Sequence, residues 1–423
     1  MARSKRRSSV RRNLLLTGGV VAAFAVLAVS LNFINLKPTL VLPEKHDPTF
    51  DMARREAPEN AYNGLREAEE LLPSMPDAVA EVIRPLARDY DPDRNFDPAL
   101  GDFLGITYEA VPGPMADYLA QCGPAVERMR AALGQPYYLQ WAPPSFLRWS
   151  WPEHETLGLS AVGHGAWLLH APDTTRRGLK VLLDAARMAR MIWREEGEML
   201  FSRATEEHAM RVLALAARKP QVAAHLDWLQ GELEKLGPPF ADRAALLEQL
   251  WRKLDNTLTF KSDRFQSPGR VIRNVGNLYE SRARAKVWRA HRDALAPLAA
   301  LPPSRHETHL REQPGLAEAL QDERAAIGWN TAILLRGAQQ DFYFQRTVLT
   351  VALRRWQERY GGGFPESLEG LAPDFLAAVP LDPMNGQPFQ YRVEENAVRI
   401  HGVGMNERDE DGSGDDMLLL SLP

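Results

Sequence analysis

Nine residues near the C-terminal end, Arg408-Asp409-Glu410-Asp411-Gly412-Ser413-Gly414-Asp415-Asp416, gather four aspartates and a hydroxyl around two glycines. Calcium takes about six to eight oxygen ligands, mostly carboxylates and carbonyls, on a backbone that turns sharply. Asp409, Asp411, Asp415 and Asp416 supply carboxylates and Ser413 a hydroxyl, while Gly412 and Gly414 allow the turn. Anions at this density repel one another unless a cation neutralises them. The stretch is not an EF-hand: with Gly412 on the invariant glycine, Leu418 falls where the bidentate acid belongs. On residue types alone it reads first as a solvated acidic turn.

A second constellation lies in Trp151-Pro152-Glu153-His154-Glu155-Thr156-Leu157-Gly158 and onward to His164 and His170. His154, Glu155 and His164 match the first, second and eleventh positions of the extended HExxHxxGxxH zinc motif, but Gly158 stands at the second histidine. A catalytic zinc needs three protein ligands, so this reading requires His170 to converge with His154, Glu155 and His164. Gly158 to Gly163 is one residue too long for a nucleophile elbow. Glu206-Glu207-His208 lacks the paired ExxH repeats of di-iron bundles, and its histidine is expected to be satisfied on the surface or in a core. No P-loop and no GxGxxG is present. The single cysteine, Cys122, excludes an intramolecular disulfide and reads as a small core residue.

The elements that must position these groups follow from periodicity. Residues 1–12 carry six basic residues and no acid; residues 13–36 carry no charge and are mostly apolar. About 20 such residues span the roughly 30 Å of membrane hydrocarbon, and the basic flank stays cytoplasmic. The expectation is an uncleaved single-pass anchor in a bacterial inner membrane, with the bulk of the chain exported to the periplasmic side. A cleavable signal peptide is the competing reading, and Arg11-Arg12 also suggests a twin-arginine export signal.

Residues 37–58 read as a proline-containing linker and residues 59–340 as an α-helical hairpin array or bundle. Its runs repeat apolar residues every three or four positions. Glu59-Asn60 begins a helix that continues to Leu72, where Pro73 stops it. Residues 136–152 interrupt the pattern with four prolines and six aromatics, expected to fold over the helical core. Residues 252–293 hold eleven basic against four acidic residues. The run reads first as a solvated helical face; as a partner surface on an exported chain it suits anionic lipid or an acidic protein face, and no nucleic acid is expected.

The last 83 residues, 341–423, change character. Leu349, Ala352, Leu353, Trp356 and Tyr360 lie on one helical stripe that Gly361 should cap. Phe389, Tyr391 and Val393, then Val398 and Ile400, alternate as a β-hairpin, and Met417–Leu422 reads as a closing strand.

This segment resembles the globular domain of the type II secretion major pseudopilins. The shared residues are the helix ending in Tyr360, Gly363-Phe364-Pro365, Gly370-Leu371, Pro380-Leu381-Asp382-Pro383 and Pro388-Phe389-Gln390-Tyr391, followed by the acidic loop. The resemblance implies a small α+β module and a calcium site made by Asp409, Asp411, Ser413, Asp415 and Asp416. It departs from the family in lacking the Phe-Thr-Leu-x-Glu processing site, in placing residues 37–340 between anchor and module, and in carrying Met384-Asn385-Gly386 in place of the Trp-Gly-Asn turn. The expected protein is mainly α: a transmembrane helix, a helical body and a pseudopilin-like module. Its expected role is non-enzymatic binding or assembly with an envelope protein partner, and the alternative is a metal-dependent envelope hydrolase using residues 154–170.

Overall fold

A computed structural model describes residues 56–81, 113–136, 154–196, 199–240, 243, 296–312, 324–394, 397–411 and 417–422. These belong to one compact unit, Ala53–Thr259 with Ala285–Pro423; the other unit, Met1–Met52 with Phe260–Arg284, lies outside the described residues. The expected anchor at 13–36, the aromatic stretch at 137–151 and the basic run at 252–293 also fall outside them. Among the described residues no helix is long and apolar enough to cross a membrane.

The described chain is mainly helical, as its periodicity predicts. In order the helices are α1 (Ala61–Glu70), α2 (Gly113–Gln121), α3 (Gly123–Ala132), α4 (Glu155–Leu168), α5 (Thr175–Glu196) and α6 (Met199–Ala216). They continue as α7 (Leu226–Leu236), α8 (His306–Arg311) and α9 (Arg324–Tyr360). The start of α1 is set locally. Asn60 is extended and its side chain accepts from the Tyr62 amide at 3.2 Å, satisfying one of the donors that every helix start leaves open.

Helix α4 is the centre of the bundle. Almost every residue from Leu157 to Ala166 is buried, because the segment is apolar or small all round its circumference and so has no face suited to water. It packs on α5 and α6. Small residues let the backbones approach: a Cβ on Gly178 of α5 would lie 2.7 Å from the Gly165 carbonyl oxygen, and one on Gly158 would collide with Thr205 of α6. Residues 158–163, one residue too long for a nucleophile elbow, are therefore the interior of a helix. Cys122 is buried as expected, its thiol donating to the Tyr118 carbonyl at 3.3 Å and pushed up to about 12 by burial.

Outside the apolar core, an ion-pair ladder joins α3, α5 and α7. Arg130 holds Asp184 at 2.7 Å, Asp184 holds Arg187 at 2.8 Å, and Arg187 holds Glu232 at 2.7 Å. Such partly exposed pairs contribute under about 1 kcal/mol each. They set the relative rotation of the helices more than their stability.

Helix α9 is shared by two cores. Phe344 and Val351 join the bundle core, whereas Phe342, Leu349, Ala352 and Leu353 pack against Leu368, Leu371, Phe375, Phe389, Val398 and Ile400. Residue 341, taken from the sequence as the start of the C-terminal module, lies inside this helix. The helix ends as its glycine predicts: Gly361 takes φ +71° and the Gly362 amide donates to the Gln357 carbonyl at 2.9 Å, the 6→1 bond of a Schellman cap.

Beyond the cap lie β1 (Gln390–Glu394), β2 (Ala397–Gly402) and β3 (Met417–Leu422), an antiparallel sheet in the order β1-β2-β3. Tyr391 stands opposite Ile400, and a register shift follows Ile400. Val398 and Ile400 are buried against α9, as a period of two requires for one covered face. Before the sheet, buried Asp382 closes a turn by accepting from the Met384 amide and the Asn385 side chain, each at 2.9 Å.

Candidate functional site

The acidic turn is only partly described: Asp409 and Asp411 are placed, while Ser413, Asp415 and Asp416 lie outside the described residues. Both placed carboxylates already hold protein cations. The Asp409 Oδ1 accepts from His401 Nε2 and from the Asp411 amide, each at 2.9 Å. Arg392 of β1 reaches Asp411 Oδ1 at 2.5 Å and Asp409 Oδ2 at 3.4 Å. The His401 hydrogen bond, followed by the Asp411 amide, holds the Asp409 carboxyl below its usual range. Register supplies the reason for this arrangement: Arg392 faces Arg399 across the sheet. Like charges directly opposite destabilise a strand pair, so nearby acids relieve the sheet. These two carboxylates do not fit a calcium ion as they stand, because the ion would have to displace the Arg392 guanidinium from between them.

The histidine segment does not assemble. His154 precedes α4 in a left-handed conformation, φ +73°, with Nδ1 3.2 Å from Glu69 of α1 and its ring edge-on to Tyr62. His164 lies ten residues on, about 15 Å at the rise of an α-helix. Its Nδ1 donates to the Leu119 carbonyl of α2 at 2.7 Å, and burial lowers its pKa, keeping the ring neutral. His170 is exposed beyond the helix end. Glu155 is pushed up to about 7 by burial. His154 and His164 thus turn to different neighbours, and no metal-holding group of three ligand residues occurs among the described residues.

A set of charged residues that sequence reasoning passed over lies between α5, α6, α9 and the chain after α7. Arg190 and Glu206 are both almost wholly buried and meet at 2.7 Å. Arg190 Nη1 also donates to the Leu236 and Gly237 carbonyls, each at 2.7 Å, satisfying acceptors that the end of α7 leaves open. The Phe240 amide donates to Asp341 of α9 at 2.8 Å. Burial pushes the Asp341 carboxyl up to about 7, against the pull of that bond and of Arg243.

Next to Glu206 on α6, Glu207 pairs with Arg211, one turn further along, at 2.6 Å. Arg211 donates to the Tyr343 hydroxyl at 3.2 Å and lies 5.0 Å from the centre of that ring. Burial raises the Glu207 carboxyl to about 7 despite Arg211. His208 corrects the expectation of a satisfied histidine: it is buried, neither ring nitrogen has a hydrogen-bond partner, and burial lowers it to about 3, so it is neutral.

Carboxylates displaced toward pH 7 are what proton-transfer catalysis uses, but structural ion networks displace them equally. Here Arg190 and Glu206 join α5 to α6, Asp341 ties α9 to the chain after α7, and Arg211 reaches Tyr343 of α9, so the arrangement's evident capacity is to lock α9 onto the bundle. A signal was present in the sequence. Arg190 continues the apolar stripe Leu179, Leu182, Leu183 and Ala186, and Glu206 and Glu207 continue toward Met210, Leu213 and Ala214. A charge on a stripe destined for burial must bring its partner. The chain matches no known family, no characterised protein and no solved structure.

Proposed function

We propose that the chain is a single-pass envelope protein, anchored by residues 13–36 with its bulk exported, whose helical body is a non-enzymatic scaffold for a protein partner. The observation that carries this reading is the charge-free apolar stretch behind a basic flank, which the positive-inside rule orients. The C-terminal segment acts in it as a pseudopilin-like module attached through α9, whose residues serve both cores. Calcium is a ligand of the acidic turn only after Arg392 moves aside, with Asp409, Asp411, Ser413, Asp415 and Asp416 as its ligands. The test is fractionation of the full-length chain from cells, followed by alkaline carbonate extraction and external protease treatment of spheroplasts. Retention in the carbonate pellet with the body digested from outside is expected. Release into the supernatant, or protection of the body, overturns the proposal.

A further inference from the structure

Away from the buried charged seam between α5, α6 and α9, strand β1 stands at the edge of the sheet. It has β2 on one side and, among the described residues, no strand on the other. The isolated bridge between Leu381 and Pro388 ends before the strand begins. Alternate residues of such an edge turn their N–H and C=O groups outward, where only water meets them. Val393 stands opposite Val398, on the face that buries Val398 and Ile400, yet it is 49% exposed. Arg392 and Glu394 flank it and are both exposed. Arg392 gives Nη1 to Asp411 and Nη2 to Asp409, which leaves its Nε–H for another acceptor. No ion pair engages Glu394 among the described residues.

The order basic, apolar, acidic is its own complement when read in reverse. A second β1 laid antiparallel on this edge, with a two-fold axis at Val393, places Arg392 opposite the partner's Glu394 and repeats the pair by symmetry. Val393 then meets its own copy. An axis at Arg392 or at Glu394 puts like charges face to face, which destabilises a strand pair. An axis at Tyr391 sets Arg392 against the partner's Gln390 and Glu394 against the partner's Pro388. We propose that β1 is a self-association edge that takes β1 of a second copy, antiparallel about Val393, to form one six-stranded sheet. The contact is small, at the low end of specific interfaces, so the pairing is weak and its charge match is screened by salt. It rests neither on the anchor nor on calcium.

The test uses the full chain in a neutral detergent. Val393→Cys and Glu394→Cys chains are exposed to a mild oxidant; the parent, whose one cysteine is buried, serves as the blank. A disulfide spans about 4.4–6.8 Å between Cα atoms. The two copies of position 393 meet across the axis at about 5 Å, whereas those of position 394 lie about 8 Å apart. Dimers of Val393→Cys should therefore form at least tenfold faster than those of Glu394→Cys. Adding Glu394→Lys to Val393→Cys should slow the reaction about tenfold, since two attractions become two repulsions. Glu394→Lys alone should unfold with the parent, and sedimentation should show it self-associating more weakly than the parent in low salt. Equal crosslinking at 393 and 394, which reports only two chains sharing a micelle, overturns the proposal. So does a parent that sediments as a monomer at every concentration, which would mean that another segment or another protein covers the edge. A Glu394→Lys chain that folds and associates like the parent overturns it as well, and this comparison decides even where Val393→Cys fails to fold.

Discussion

The seam and the acidic turn use the same chemistry, arginine against carboxylate, in opposite surroundings. Arg190 and Glu206 meet where both are nearly inaccessible to water, with Arg190 also filling two carbonyl acceptors. Arg392 bridges Asp409 and Asp411 on a surface where all three side chains are a third or more exposed. Distances alone do not separate the pairs. Dielectric does: a charge left unpaired in the seam has nothing to replace its partner, while one left unpaired at the turn is hydrated at once. A conspicuous acidic cluster can thus be energetically mild, and a pair hidden in an apolar stripe can govern whether two elements stay docked.

The largest effect that would sharpen this contrast is expected from Glu206→Gln or Arg190→Met. Breaking one side of a buried pair costs about 3–5 kcal/mol, read as a lowered denaturation midpoint, and the double variant should recover part of the loss. If the single variants cost no more than a surface pair, the seam is not the strut described.

A pH series gives the next effect. Asp341 has a folded pKa of about 7 against an ordinary 3.8, so the folded state binds the extra proton. Its contribution to stability is full below about pH 4 and is lost as pH rises through about 7. His208 acts in the opposite sense: lowered from 6.5 to about 3, it takes stability away as pH falls through that interval. The two are separated by Asp341→Asn, which mimics the protonated acid and keeps an acceptor for the Phe240 amide. The gain of this variant over the parent in unfolding temperature should grow from pH 4 to 7 and then level off. A gain that is flat with pH contradicts the raised pKa.

At the turn, Arg392→Ala is expected to cost no more than about 1 kcal/mol, and the cost should shrink in high salt. The smallest effect is also the most diagnostic. Added calcium should raise the unfolding temperature of Arg392→Ala more than that of the parent, since the competing guanidinium is gone. Equal responses in both chains would mean that Arg392 does not guard the turn.

Much of the fold was legible because it is local. Asn60 at the start of α1, Gly361 at the end of α9 and the alternation through Tyr391, Val398 and Ile400 each act within a few residues. The turn was legible as a cluster, but not its partners: Arg392 lies 19 residues from Asp411, and only the sheet register brings them together. Sequence put His154 and His164 ten residues apart, yet their neighbours on α1 and α2 decide where each points.

By itself, then, the sequence determined the helical character of the body, its caps, the β-hairpin with its closing strand and the burial of Cys122, because propensity and periodicity are written residue by residue. Tertiary structure alone decided that α9 serves two cores, that Asp341 answers an amide 101 residues away, and that Arg190 and Glu206 meet in the interior. Those outcomes depend on which surfaces meet when the helices pack, and the cost or gain of a charge exists only once its surroundings do.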